Sequence, residues 1–255
     1  MSYDVLYKFT MNKLFLFFLL STYCFSQQYD KLFIEKSKID KNNSIYVIGN
    51  TFVYEIDILI DSNVYYINKN DKDSLVLDGD NILRKIQLSV EKSPRFGRTN
   101  KNQTEIKYSD YPNLTFRSST GLVENEKNIW IHPPRIGFLR ALETCPFPYV
   151  KLNQNVGYKW NDEMLISKYW SDERWGVWKD KLLLRFDYEI IGQEMMETVF
   201  GNLNVTKIYA TANSDIGQSS LTLYFNHQYG FIKLEYILFN GIKINFNLKE
   251  YTNVA

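Results

Sequence analysis

Apolar side chains that return at every second position limit what this chain can fold into. From Thr51 the residues Phe52, Tyr54, Ile56, Ile58 and Ile60 alternate with Glu55, Asp57 and Asp61. Ile82, Ile86, Leu88 and Val90 repeat the pattern, as do Leu182, Leu184, Phe186, Tyr188 and Ile190 against Arg185, Asp187 and Glu189. A period of two sends successive side chains to opposite faces of a strand, so each ribbon has one face to bury and one to hydrate. Turn-forming clusters separate these runs: Asp61-Ser62-Asn63, Asp78-Gly79-Asp80-Asn81, Asn213-Ser214-Asp215 and Asn240-Gly241. The fold class that follows is mainly β, an antiparallel curved sheet built as a half-barrel or a sandwich, with long loops and little helix.

The C-terminal stretch is regular enough to predict register. A two-residue turn at Asn240-Gly241 would pair Phe239 with Ile242 and set the polar flank of one strand beside the apolar flank of the next. A three-residue loop, Phe239 to Gly241 with Gly241 left-handed, instead aligns Leu238 with Ile242, Tyr236 with Ile244, Leu234 with Phe246 and Ile232 with Leu248. One strand earlier, a four-residue loop from His227 to Gly230 aligns Phe225 with Ile232, Leu223 with Leu234 and Leu221 with Tyr236. The expectation is an antiparallel meander from about Ser219 to Tyr251.

Helical signals are sparse. Gln27 to Asp40 carries Tyr29, Leu32, Phe33, Lys36 and Ile39 at spacings that suit one amphipathic helix, and Pro134 to Thr144 suits a turn or two. Ser93 to Val150 contains every proline of the chain and little alternation. It reads as ordered loops with short strands crossing one end of the sheet.

The N-terminal stretch bears on location rather than fold. Lys13, the apolar run Leu14 to Leu20 and the stretch Ser21 to Ser26 have the order of a secretion signal. Ser21, Thr22, Ser26, Gln27 and Gln28 interrupt the run before the roughly 20 apolar residues of a spanning helix, so no stable membrane span is expected. We assign residues 1–26 to the signal, with Met11 a more natural start than Met1, and 27–255 to a single β-rich domain. The protein is expected to be exported, to the periplasm or beyond the cell. A lipid-anchoring cut at Cys24 is the rival, with bulky Tyr23 against it. Beyond the signal Cys145 stands alone, which excludes an intrachain disulfide. About 230 residues can bury roughly 70% of their unfolded surface and fold on a core alone. The 30 basic and 29 acidic side chains are interspersed, which argues against nucleic acid as a partner.

Candidate functional residues cluster in Asn128-Ile-Trp-Ile-His-Pro-Pro-Arg135, followed by Glu143-Thr-Cys-Pro-Phe-Pro-Tyr149. Paired prolines hold His132 extended, which displays Trp130, His132 and Arg135 from a stiff backbone as candidate ligand-binding residues. The competing reading is a Pro-aromatic cap on an open sheet end, with Arg135 bridged to Glu124, Glu126 or Glu143. Cys145 lacks the local positive charge or helix start that activates a thiol, so an inert buried cysteine is expected. No metal site is expected: His132, His227 and Cys145 lack zinc spacing, and the Asp-rich turns lack the order of a calcium loop. Trp160, Tyr169, Trp170, Trp175 and Trp178 suit either a sugar-stacking platform or a hairpin with tryptophans packed inward, and the second reading is favoured.

Trp130-Ile-His-Pro-Pro-Arg135, Pro146-Phe-Pro148, Thr198-Val-Phe-Gly201, Tyr224-Phe-Asn226 and Tyr229-Gly-Phe-Ile-Lys-Leu-Glu-Tyr236 together resemble small exported proteins of Gram-negative bacteria with unassigned function. The C-terminal third also resembles periplasmic lipoprotein-carrier-like half-barrels. That resemblance implies a sheet curled around an apolar concavity suited to a lipid or acyl group. The functional expectation is therefore non-enzymatic binding of a hydrophobic or lipid-like ligand on a curved sheet, without a cofactor. The alternatives are an envelope structural or assembly protein that meets a protein partner through its surface, and a hydrolase using His132.

Overall fold

A computed structural model describes residues 39–41, 43–92 and 102–254. The predicted signal (1–26) and nearly all of the proposed Gln27 to Asp40 helix lie outside the described residues. Among the described residues fifteen strands follow in chain order: β1 (Thr51–Ile60), β2 (Asn63–Asn68), β3 (Leu75–Val76), β4 (Ile82–Leu83), β5 (Lys85–Glu91), β6 (Thr104–Asp110), β7 (Ser118–Glu124) and β8 (Asn128–Ile131), then β9 (Tyr149–Lys151), β10 (Lys159–Ser167), β11 (Lys181–Thr198), β12 (Gly201–Ser214), β13 (Gly217–Asn226), β14 (Gly230–Ile237) and β15 (Lys243–Thr252). One compact unit holds all of them. Among the described residues no helix is long and apolar enough to cross a membrane, which says nothing of strands.

Twelve strands form a single antiparallel sheet curled into a half-barrel, in the order β10-β11-β12-β13-β14-β15-β1-β5-β6-β7-β8-β9. The chain enters at the middle with β1, builds outward to the β9 edge, crosses to the β10 edge and meanders back until β15 meets β1. The alternation read from sequence supplies the inner face. Across the β1–β15 ladder, Tyr54 pairs with Leu248, Ile56 with Phe246 and Ile58 with Ile244. Across β1–β5, Phe52 pairs with Leu88 and Tyr54 with Ile86. All of these side chains are buried.

The last hairpin has the predicted register. Tyr236 faces Ile244, Leu234 faces Phe246, and the Leu238 amide donates to the Ile242 carbonyl at 2.9 Å. Gly241 holds φ +85°, the left-handed conformation that the three-residue loop requires and a side chain resists. The preceding hairpin departs from expectation in one place. Leu223 pairs with Leu234 and Leu221 with Tyr236 as predicted, but Phe225 pairs with Phe231 across a bulge instead of with Ile232. The Asn226 side-chain oxygen accepts from the amides of Gln228 (2.8 Å) and Tyr229 (3.2 Å), which closes the loop one residue early and leaves Ile232 as the extra residue.

A larger correction concerns Ser93 to Val150. Residues 93–101 lie outside the described set, and the short strands expected in the rest form, but they do not cross one end of the sheet. They are β6, β7, β8 and β9, which extend the same ladder from β5. Where β6 and β7 end, and along β8, both sides are covered, as in Val123 beside Leu122 and Ser109 beside Tyr108, all buried, while Thr104 to Tyr108 keeps the alternation of a half-exposed strand. Two-sided burial erases the alternation that marks a half-solvated strand.

The link 152–158 joins one edge of the sheet to the other. So short a segment reaches roughly 25 Å at most, so the sheet must curl until its edges are close. They meet through rings: Tyr149 of β9 packs at 5.6 Å from Trp160 of β10 and 5.5 Å from Tyr188 of β11, and Trp160 stacks on Tyr188 at 5.1 Å. About eight strands make a barrel whose own side chains fill the interior, whereas twelve leave room to spare. The chain fills that room itself. Gly137–Thr144 forms a 3-10 helix, and every residue from Ala141 to Val150 is buried.

Candidate functional site

This buried segment is a plug threaded through the concave side, and its polar backbone is satisfied by the wall. The Tyr108 hydroxyl donates to the His132 carbonyl (2.9 Å), Ser219 Oγ to the Thr144 carbonyl (2.6 Å) and Tyr188 Oη to the Phe147 carbonyl (3.1 Å). The Arg135 amide donates to Ser118 Oγ at 3.0 Å and the Phe138 amide to the Lys72 carbonyl at 2.8 Å. A buried carbonyl left without a donor would cost about 1–3 kcal/mol, so these wall hydroxyls allow an irregular segment to run inside the sheet. Burial pushes the Tyr108, Tyr188 and Tyr236 phenols well above their ordinary range, which keeps them protonated donors. Gly137 is obligatory on two counts. Its φ is +52°, and a Cβ there would stand 2.1 Å from the Lys72 carbonyl oxygen.

Trp130, His132 and Arg135 come together where the plug begins. Trp130, next to last in β8, has its ring 5.9 Å from His132 and 5.7 Å from Phe147, and His132 meets Phe147 edge to face at 4.5 Å. His132 is 2% exposed. Its Nδ1 lies 2.8 Å from the Pro133 carbonyl, an acceptor only, so Nδ1 carries the proton. Nε2 then offers a lone pair, which accepts from Nη2 of Arg135. Arg135 Nε donates to Glu143 Oε1 at 2.6 Å, and that oxygen stands 3.2 Å from His132 Nε2. With Arg135 donating to Nε2, the His132 and Glu143 atoms are two acceptors sharing one guanidinium rather than an ion pair. Burial, with Arg135 beside it, pulls the imidazole well below its ordinary range, against the weaker opposing effect of the Pro133 carbonyl.

Of the three bridges foreseen for Arg135, the one to Glu143 forms. Glu124 is occupied elsewhere: Oε1 accepts from Ser44 N and Oγ (both 2.8 Å) and Ile45 N (2.9 Å), and Oε2 accepts from Tyr46 N (2.9 Å). Cys145 is fully buried, and burial pushes its thiol up to about 12. His132 has its polar partners in Pro133, Arg135 and Glu143, not in Cys145. Trp175 and Trp178 point inward, with a bridge between Asp172 and Gly176 turning the chain between them, as the inward hairpin reading expects. Tyr169 and Trp170 do not follow them. They sit on the rim, where Arg135 stacks over Trp170 and Arg140 over both rings. Sequence reading overlooked Arg140, because nothing local marks an arginine within a short 3-10 helix as a neighbour of residues three decades later in the chain. Among the described residues no three His, Cys, Asp or Glu side chains converge as metal ligands would.

No known protein family model matches the chain, and no curated protein matches it. Among solved structures it is similar to a "putative lipoprotein" of Parabacteroides distasonis, with TM-score 0.45 and 11% identity over 81% of this chain and 96% of that one. It is also similar to the hypothetical lipoprotein YmcC of Escherichia coli, with TM-score 0.39 and 11% identity over 86% and 94% of the two chains. A "putative exported protein with YmcC-like fold" of Bacteroides fragilis is similar at TM-score 0.39 and 11% identity, over 87% and 99%. At these scores and identities the likeness carries no functional inference.

Proposed function

We propose that the protein is an exported, non-enzymatic binding protein that meets its partner on its outer surface and rim rather than in the concavity of its sheet. The observation that supports this is the buried run from Ala141 to Val150 on the concave side. A lipid guest there would have to displace Phe138, Leu139, Leu142 and Phe147, each at most 2% exposed. At about 1.5–3 kcal/mol for each large apolar side chain, eviction costs roughly 6–12 kcal/mol, comparable with the net stability of a whole domain. The hydrophobic-ligand reading therefore requires the plug to leave, and no observation favours that. Catalysis by His132 is no better supported, since its one free lone pair is taken by Arg135. Of the three candidate binding residues, Arg135 reaches solvent, while Trp130 and His132 fix its position from beneath.

Crosslinking in intact cells followed by partner identification, with native mass spectrometry of protein from its own host, tests the reading. The expected result is a specific envelope neighbour and a mature chain beginning at Gln27. A stoichiometric lipid that co-purifies with the protein, without any crosslinked neighbour, would overturn it.

A further inference from the structure

Where the plug meets the surface, side chains from separate stretches form one cationic and aromatic corner. The guanidinium carbons of Arg135 and Arg140 lie 5.4 and 5.8 Å from the centre of the Trp170 ring, and Arg140 lies 5.0 Å from that of Tyr169. The two rings meet edge to face, 5.2 Å apart at 84°. The charges here do not cancel. Arg135 has Glu143, but Arg140 makes no ion pair among the described residues, and its hydrogen bond runs from Nη2 to the Tyr169 carbonyl at 3.0 Å. Asp172, the acid that senses Arg140, is already held by Arg174 through both oxygens, at 2.8 and 2.6 Å. Tyr169 is 67% exposed, more than any other Phe, Trp or Tyr among the described residues.

A phenol held in water between a guanidinium and an indole is a rigid, half-free ring face. Such a face accepts the flat C–H side of a saturated ring, and the adjoining guanidinium accepts a carboxylate, for which its planar fork is well matched. We propose that Tyr169, Trp170, Arg135 and Arg140 form a binding site for a carboxylate-bearing sugar ring, a uronic acid unit being the simplest example. One uncompensated guanidinium suits one carboxylate. The nearly neutral chain as a whole, at +1, generates no field of the kind that gathers nucleic acid or another dense polyphosphate. The assignment rests on the surface-binding reading and gives that surface a ligand class.

Isothermal titration of the full chain with glucuronate, glucose, acetate and benzoate tests it. Glucuronate is expected to bind saturably, and each of the others at least about tenfold more weakly, since glucose lacks the charge, acetate the ring and benzoate the puckered C–H face. Tyr169→Ala and Arg140→Gln should each weaken glucuronate about fivefold or more. Tyr169→Ala, at an exposed position, should leave the thermal midpoint unchanged, so its loss of binding is not a loss of fold. Benzoate binding as tightly as glucuronate would overturn the sugar assignment. Absence of saturable glucuronate binding, or indifference to both substitutions, would overturn the site itself. A crosslinked envelope neighbour in the absence of uronate binding would sink this site and leave the surface reading standing.

Discussion

Replacing His132 by Gln gives a pH test of the rim network in which the sign of the effect decides the chemistry. In the folded protein the imidazole is buried, carries its proton on Nδ1 toward Pro133 and takes a hydrogen bond from Arg135, so protonation would put a second cation against a guanidinium. Its folded pKa is therefore depressed below the unfolded value of about 6.5. Below that value the unfolded chain binds a proton that the folded chain refuses, so this contribution is fully present above pH 6.5 and is lost as pH falls toward the folded pKa. While the folded imidazole stays neutral, the loss approaches about 1.4 kcal/mol per pH unit below the unfolded value. Gln offers an acceptor to Arg135 and a donor to Pro133 but does not titrate. The assay is urea unfolding of wild type and His132→Gln at half-unit steps from pH 8 to 4.5, with the difference in stability plotted against pH, which removes contributions common to both. The expected difference is flat above pH 7 and shifts against wild type below 6.5. If His132 were instead an imidazolium donating to Glu143 across the 3.2 Å gap, its pKa would be raised and wild type would gain on the variant as the solution is acidified. That result, or a flat line throughout, would refute the tautomer and donor assignment.

Further expectations concern the wall and the plug. Glu124→Gln turns the oxygen that accepts from Tyr46 N into a donor facing a donor, or forces the amide to flip against Ser44 and Ile45; a loss of about 2–4 kcal/mol is expected in urea unfolding. Leu142→Ala, at a position with no exposure, should cost about 2–5 kcal/mol through the cavity it leaves, with the midpoint moving and the m-value unchanged. Gly137→Ala should destabilise by about 2 kcal/mol or more, since it adds a left-handed non-glycine residue to a clash with the Lys72 carbonyl. Cys145, pushed up to about 12 by burial, should resist a disulfide-exchange reagent at pH 8 in native protein and react fully in denaturant.

Much of the sheet was legible in the residues because its causes are local. A period of two sets the faces of β1, β5 and β11, and a left-handed glycine after Asn240 sets the register of β14 on β15, since the two-residue loop would oppose Glu235 to Phe246. Failures began where the physics stops being local. Where β6 and β7 end, and along β8, both faces are covered, so burial no longer alternates along the chain. In the β13–β14 turn a single side-chain amide, Asn226, outweighed hydrophobic matching and moved the pairing by one residue.

The composition and alternation of this chain by themselves determined that it forms an antiparallel sheet with one greasy flank, for each strand must hide that flank wherever its neighbours lie. Only the tertiary structure decided what the flank is hidden against. Curling twelve strands until Tyr149 touches Trp160 creates a space that side chains of the wall cannot fill. The proline-rich stretch enters because Tyr108, Tyr188 and Ser219 satisfy its carbonyls from strands far away in sequence. The same closure carries Arg135 and Arg140 to Trp170. No pattern along the chain encodes that meeting, because it depends on where separate strands end in space.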